Sequence, residues 1–208
     1  MVSSIIWDWN GTLLDDVAHN LRVVNGILER RGLATLSLLE YRRVFSFPIQ
    51  GFYKVLGLAH EGEEYDRIAR EYVSGYTADL GSCSPTAGVQ ELLSRLSGRG
   101  VGNYILSATN HPDLLTQVEA VGLGGRFERI LGNDDIRGKS KADKAALLLR
   151  EEGLAPERTL LVGDTLHDLE VADHIGVRCI LYRRGHQELR DCRPYAAVDD
   201  LSEVIDYL

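Results

Sequence analysis

The sequence predicts an α/β fold, a doubly wound parallel sheet with an inserted all-helical segment. Three observations carry that prediction. From residue 82 onward, short apolar runs that read as buried strands alternate with segments of helical periodicity. Between residues 15 and 81 the pattern is helical throughout, with no strand pattern. The 208 residues contain 21 glycines against 5 prolines, a supply of tight turns that suits alternating strands and helices better than a long helical bundle.

Each element has its own local reason. Ser4 to Trp7 is a short apolar run broken by Asn10-Gly11, and reads as a buried strand. A helix follows from about Val17, with Asp15 or Asp16 as its N-cap and Val17, Leu21, Val24 and Leu28 on one face. Further helical segments are expected over Leu38 to Phe45, Phe52 to Leu56 and Glu63 to about Leu80. Ser84-Pro85 has the character of an N-cap followed by a first-turn proline, predicting a helix with Val89, Leu92, Leu93 and Leu96 inward. Strands are expected at Tyr104 to Leu106, Arg129 to Leu131, Thr159 to Val162, Arg178 to Tyr182 and Ala196 to Val198. Helices are expected between them over Pro112 to Val121, Ser140 to Glu152 with Gly153 closing it, and His167 to Ile175, with a last one ending at Leu208. Residues 1–14 and 82–208 would then form one sheet domain, and 15–81 a helical insertion directly after its first strand.

Composition narrows the function. At roughly 150 residues per domain, the length suits one domain with a modest insertion. Lys and Arg number 23 against 31 Asp and Glu, a formal net charge of −8. That balance argues against a nucleic-acid or anionic-membrane partner, since phosphate backbones need a surplus of cations on the contacting face. No apolar run approaches the ~20 residues of a membrane span, and Ile5-Ile6-Trp7 is too short for a signal peptide. Cys83, Cys179 and Cys192 are odd in number, widely spaced and without a CxxC pair, so reduced thiols in the cytoplasm are expected. Neither composition nor periodicity demands a protein partner, which leaves a monomer or weak dimer.

In an open parallel sheet, ligands bind at the carboxyl ends of the strands. The polar residues there are Asp8 and Asn10 after the first strand, Ser107 after Leu106, and Asp164 with Asp168 after Val162; Lys139 opens the helix that leads into the last of these strands. Two carboxylates, a hydroxyl and a lysine converging on one sheet edge suit a magnesium-bound phosphoryl group, because hard oxygen ligands hold the metal while an ammonium and backbone N–H groups hold phosphate oxygens.

Asp8-Trp9-Asn10-Gly11-Thr12-Leu13, Ser107, Lys139 and Gly163-Asp164-Thr165-Leu166-His167-Asp168 resemble, in order, the four motifs of the haloacid dehalogenase-like (HAD) hydrolases. The 25 residues from Lys139 to Asp164 and the helical insertion resemble the phosphoglycolate phosphatase-type subgroup. The resemblance implies a Rossmann-like core with a helical cap, and a Mg²⁺-dependent phosphatase acting on a small phosphorylated metabolite. It implies Asp8 as the nucleophile that forms an aspartyl-phosphate, and Mg²⁺ held by Asp8, the backbone carbonyl of Asn10 and Asp164, with Asp168 supporting the metal shell directly or by orienting Asp164 and waters. It also implies Ser107 and Lys139 on the phosphate, with backbone donors near Ala108; Thr109 and Asn110 compete with Ser107, and Lys141 and Lys144 with Lys139.

Asn10 departs from that pattern, since the family's phosphatases usually carry an aspartate there as general acid and base. A carboxamide cannot transfer a proton this way, and such help is worth about 10²–10⁴-fold. Slow turnover or another proton donor is therefore expected, with His111 and His167 near in sequence. Alternatives are a phosphonatase-like C–P hydrolase, for which Lys54 would have to supply the Schiff base, and a non-catalytic relative that binds a ligand. Arg42, Arg43 and Lys54 flank Phe45-Ser46-Phe47-Pro48. Arg43 is the candidate there for the substrate's far end, although exposed charges of this kind are more often a solvated face. Arg183-Arg184-Gly185-His186 reads the same way, and the stripe Tyr65, Ile68, Tyr72 and Tyr76 reads as core of the helical insertion.

Overall fold

The structure, a computed structural model, describes residues 1–133 and 140–208. The chain begins with β1 (Ser4–Trp7) and β2 (Leu14–Asp15), then runs through α1 (Val17–Arg30), α2 (Leu38–Val44), α3 (Ile49–Val55) and α4 (Gly62–Ala78). After β3 (Ser84–Pro85), helix and strand alternate: α5 (Val89–Gly98), β4 (Gly102–Asn110), α6 (His111–Ala120), β5 (Arg129–Asn133), α7 (Lys141–Glu151), β6 (Thr159–Gly163), α8 (Leu166–Ile175), β7 (Arg178–Tyr182) and β8 (Ala196–Val198).

Six strands form one sheet in the order β5-β4-β1-β6-β7-β8, and each neighbouring pair is parallel. A parallel sheet covered on both faces needs strands that are apolar on both sides, and all four residues of β1 are buried. Alternation sorts them. Ile5 and Trp7 pack with Leu92, Leu93 and Leu96 of α5 and Val118 of α6. Ile6 packs on the opposite face with Leu148 of α7 and Val171 of α8. The chain winds outward from β1 through β4 to β5 on one side, and through β6 to β8 on the other. The reversal of winding around β1 leaves a crevice at the carboxyl ends of β4, β1 and β6. Helices α1 to α4 share a separate apolar cluster that includes Val24, Ile27, Tyr41, Phe52 and Ile68.

Two expected elements differ. Ser84 and Pro85 do not open a helix; they form β3, antiparallel to β2, with Leu14 opposite Pro85 and Asp15 opposite Ser84. Thr86 extends the pairing, its N–H donating to the Leu13 carbonyl at 2.9 Å and its hydroxyl to the Thr12 carbonyl at 2.6 Å. These bonds hold residues 84–86 extended, so α5 starts only at Val89, after Gly88 at φ +79°. At the C-terminus the expected helix is a 3₁₀ helix over Leu201–Tyr207. Asp16 does stand at the N-cap of α1, but its side chain caps nothing; the carboxylate is wholly buried and used elsewhere.

Candidate active site

The three central strands deliver the site. Trp7 lies level with Ile105 of β4 and Val162 of β6, so Asp8 and Asp164 follow at the ends of β1 and β6, and Ser107 lies beside them within β4. The β4–β5 register shifts between Leu106 and Asn110, which breaks the regular ladder at Ser107. Asp8 is held by its own N–H, which donates to the Val162 carbonyl at 2.8 Å. Gly11 lies at φ +70°, and a Cβ there would overlap both the His186 ring and the Asp164 carboxylate. Only glycine fits this turn.

The carboxylates of Asp8, Asp164 and Asp168 each offer an oxygen within 4.8 Å of the others. Asp168 sits in the first turn of α8 and is tied down by it: one oxygen accepts from the N–H of Thr165 at 3.0 Å and from its hydroxyl at 2.7 Å. Its other oxygen accepts from the Lys141 ammonium at 2.7 Å, and the same ammonium donates to Asp8. Asp164 accepts from the Thr12 hydroxyl at 3.2 Å and from the His186 N–H at 2.5 Å.

These contacts set the charges. Burial pushes the Asp8 carboxyl up to about 8; the Lys141 charge opposes the rise, and the Asp168 and Asp164 charges add to it. Burial likewise raises Asp164 to about 6, against the pull of His186. Burial works against ionisation of Asp168 too, but the charge and hydrogen bond of Lys141, with those from Thr165, leave its carboxyl below the usual range. Buried hard oxygen ligands that resist ionising together are the donor set a divalent cation satisfies, so the residues fit Mg²⁺.

Ser107 is buried, and its hydroxyl accepts from the Thr109 N–H at 3.0 Å. The Thr109 hydroxyl donates to the Asn10 side-chain carbonyl at 2.7 Å. The Asn10 amide nitrogen donates to Asp16 at 2.9 Å and to the Tyr76 hydroxyl at 2.7 Å. The carboxamide of Asn10 is thus engaged on both of its ends. The Asp16 carboxylate also accepts from Tyr76 at 2.6 Å and from the Gly11 N–H at 2.7 Å, and pairs with the His186 ring at 3.1 Å. The other ring nitrogen of His186 lies 2.8 Å from the Tyr41 hydroxyl of α2.

Above these residues is a cavity of about 350 Å³. Asp8, Asn10, Ser107, Lys141, Asp164 and Asp168 line its floor, and Ala108, Thr109, Asn110 and His167 its side. Helices α3 and α4, with the turn at Phe47, cover it.

Lys139 lies outside the described residues; Lys141, the first residue of α7, is the amine that meets Asp8 and Asp168. Arg43 does not line the cavity, and its guanidinium pairs with Glu188 at 3.4 Å. Arg42 is spent on the Gly185 carbonyl at 2.8 Å and on that of Arg184. Lys54 is exposed and away from the lining, so a C–P hydrolase has no cap amine there. His111 accepts from the Gly132 N–H at 3.2 Å and also lies outside the lining. In the aromatic stripe Ile68 is core, as expected, whereas Tyr65, Tyr72 and Tyr76 also face the cavity.

Sequence reasoning missed Asp16 and His186. Asp16 carried only the signal of an N-cap residue, and His186 lay in a charged run 170 residues away. Nothing local joins the two.

The comparisons agree with this geometry. A model of the haloacid dehalogenase-like hydrolase family matches residues 5–182. The phosphoglycolate phosphatase of Rhodobacter capsulatus is 28% identical, over 95% of this chain and 92% of that one. A 5′-nucleotidase of Pseudomonas aeruginosa is 29% identical, over 96% of this chain and 95% of that one. Among solved structures, a haloacid dehalogenase-like family hydrolase from Streptococcus pneumoniae superposes with a TM-score of 0.85 at 21% identity, covering 99% of this chain and 98% of that one. With the family match spanning most of the chain and the fold the same, this protein belongs to the haloacid dehalogenase-like hydrolases.

Proposed function

We propose that the protein is a Mg²⁺-dependent phosphatase that hydrolyses a small phosphate monoester through a phosphorylated Asp8, with residues 15–81 as a cap over residues 1–14 and 82–208. One observation carries this reading: the Lys141 ammonium bridges Asp8 and Asp168 at the floor of a cavity, beside Asp164. Relatives named as a phosphoglycolate phosphatase and a 5′-nucleotidase support a phosphorylated small molecule as substrate.

Asp8, Asp164, Asp168 and the backbone carbonyl of Asn10 would hold Mg²⁺, which when bound polarises a phosphoryl oxygen and offsets the charge of the site. An Asp8 oxygen attacks phosphorus as the ester oxygen departs. Lys141 takes the place expected of Lys139, favouring the ionised form of Asp8 and screening it from the incoming anion. Ser107 and the backbone around Ala108 supply hydrogen-bond donors to the phosphoryl oxygens, with Thr109 beside them and Asn110 at the rim. Water then attacks the acyl phosphate and restores the Asp8 carboxylate. Asn10 has no proton to give, and both ends of its amide are already bonded to Asp16, Tyr76 and Thr109. Its part is to position the loop, and departure of a poor leaving group is slow. Among the described residues no helix is long and apolar enough to cross a membrane. Cys83, Cys179 and Cys192 are free, which supports a reducing compartment such as the cytoplasm.

The test is phosphate release from a panel of phosphate monoesters, with and without Mg²⁺, by the native protein and by Asp8→Asn. Turnover that needs both Mg²⁺ and Asp8 is expected. Absence of Mg²⁺-dependent turnover across the panel would refute the reading.

A further inference from the structure

The roof of the cavity differs from its floor. Phe47, Ile49, Tyr65, Tyr72 and Val73 supply apolar and aromatic surface. Among the described lining residues there is no arginine, and Lys141, already shared by two carboxylates, is the only lysine. His186 is committed to Asp16, and His167 stands 3.2 Å from Glu170 with its ring 5.3 Å from that of Phe47. The acidic side chain of Asp113 also lines the cavity. Among the described residues, a second anionic group beyond the phosphate would find no free cation on this largely apolar wall, which is unfavourable. An uncharged ring would gain from the same surface.

A second observation concerns the bond that breaks. With a carboxamide at position 10, the departing oxygen receives no proton from that residue. A phenolate is stable enough to leave unprotonated, whereas an alkoxide is not.

Resting on the phosphatase reading, we propose that the substrate is an aryl phosphate, a phosphorylated phenol with no second charged group, seated with its ring against Phe47, Tyr65 and Tyr72. An Asp8 oxygen forms a bond to phosphorus as the phosphorus–aryl oxygen bond breaks, and the electron pair leaves on the phenolate oxygen. Water then attacks phosphorus, breaking its bond to Asp8. The products are inorganic phosphate and the free carboxylate, and the proton lost from water neutralises the phenolate.

Two measurements test this. Calorimetric titration with phenylphosphonate and with phosphonoacetate, both in magnesium chloride, reads the cavity without turnover. The aryl ligand should bind at least about tenfold more tightly, the scale on which an apolar pocket discriminates. In Val73→Arg, which places a cation at an exposed position on the cavity wall, that ratio should shrink or invert. Steady-state kinetics on phosphate esters of falling leaving-group pKa read the missing acid, and kcat should rise steeply towards the phenols. Equal or tighter binding of phosphonoacetate by the native protein, or a rate independent of leaving-group pKa, overturns the proposal. If phenylphosphonate binds preferentially but no ester is hydrolysed, the ligand class stands and the phosphatase reading fails.

Discussion

The side-chain amide of Asn10 donates to a carboxylate oxygen of Asp16 across 2.9 Å, and the Tyr76 hydroxyl donates to that same oxygen at 2.6 Å. Asp16 is fully buried, and burial alone would raise its carboxyl. The His186 charge and hydrogen bond, with those from Tyr76 and Asn10, hold it below the usual range instead. The negative charge of this loop therefore sits on Asp16, and Asn10 is its neutral donor.

A carboxylate at position 10 would lose the amide donor to Asp16 and leave two carboxylates sharing the one Tyr76 hydroxyl proton. Asn10→Asp is expected to destabilise the protein by about 1–3 kcal/mol, the scale for turning a buried hydrogen bond into an unsatisfied contact. The double variant Asn10→Asp/Asp16→Asn moves the charge back to position 10 and should recover much of that loss. Urea denaturation of the native, single and double variants measures both. A single variant as stable as the native protein would show that the Asn10–Asp16 contact matters little.

The buried His186–Asp16 pair predicts a pH dependence. Burial lowers the His186 pKa, but Asp16 first, then Asp164 and Asp8, raise it overall from 6.5 to about 9; the Tyr41 hydroxyl faces its other nitrogen. A raised histidine contributes stability fully present below its unfolded value and lost as pH rises through the folded one. The lowered Asp16 contributes above its unfolded value and loses this as pH falls through the folded one. The pair is thus strongest between roughly pH 4 and 6.5 and fades towards pH 9, by about 3 kcal/mol at 1.36 kcal/mol per unit. In EDTA, the stability gap between native protein and His186→Gln should narrow from pH 6 to pH 9.5. A gap that stays constant or widens would contradict the charged pair.

Lys141 is the amine that meets Asp8, the proposed nucleophile, so Lys141→Ala should lower kcat by about 10²-fold or more on any ester the native protein hydrolyses, as for other lost charge-stabilising donors. Lys139→Ala is the informative partner. Full activity in Lys141→Ala with loss in Lys139→Ala would return the role to Lys139.

Gly11 sets the turn that brings Asn10 and Asp16 together. Gly11→Ala meets both an unfavourable φ of +70° and overlap with His186 and Asp164, so it should lower the Tm by several degrees or prevent soluble expression. A native-like melting curve would place the turn elsewhere.

Where the sequence was readable, the information was local. β1 over Ser4–Trp7 and β7 over Arg178–Tyr182 stand where their apolar runs end, because buried parallel strands need such runs. Asp8 and Asp164 could be placed from the strand ends alone. Ser84-Pro85 misled because the same pair suits a helix start and an edge strand, and only pairing with Leu14–Asp15, some 70 residues earlier, decides. That Lys141, and not Lys144, meets Asp8 depends on the position of the α7 N-terminus, which spacing does not encode. His186 needed the approach of Tyr41 and Asp16 from the helical segment, a tertiary event with no trace in its own neighbours. The aromatic stripe on α4 shows both limits, since one helical period serves the core through Ile68 and the cavity through Tyr65 and Tyr72.

Asp8 is the residue proposed to take the phosphoryl group. Fluorine NMR of the protein with beryllofluoride, a phosphoryl mimic that bonds to a carboxylate oxygen, tests this directly. Bound fluorine resonances that appear with the native protein only in Mg²⁺, and are absent in Asp8→Asn, are predicted. The same resonances from Asp8→Asn, or none from a folded native protein in Mg²⁺, would contradict it.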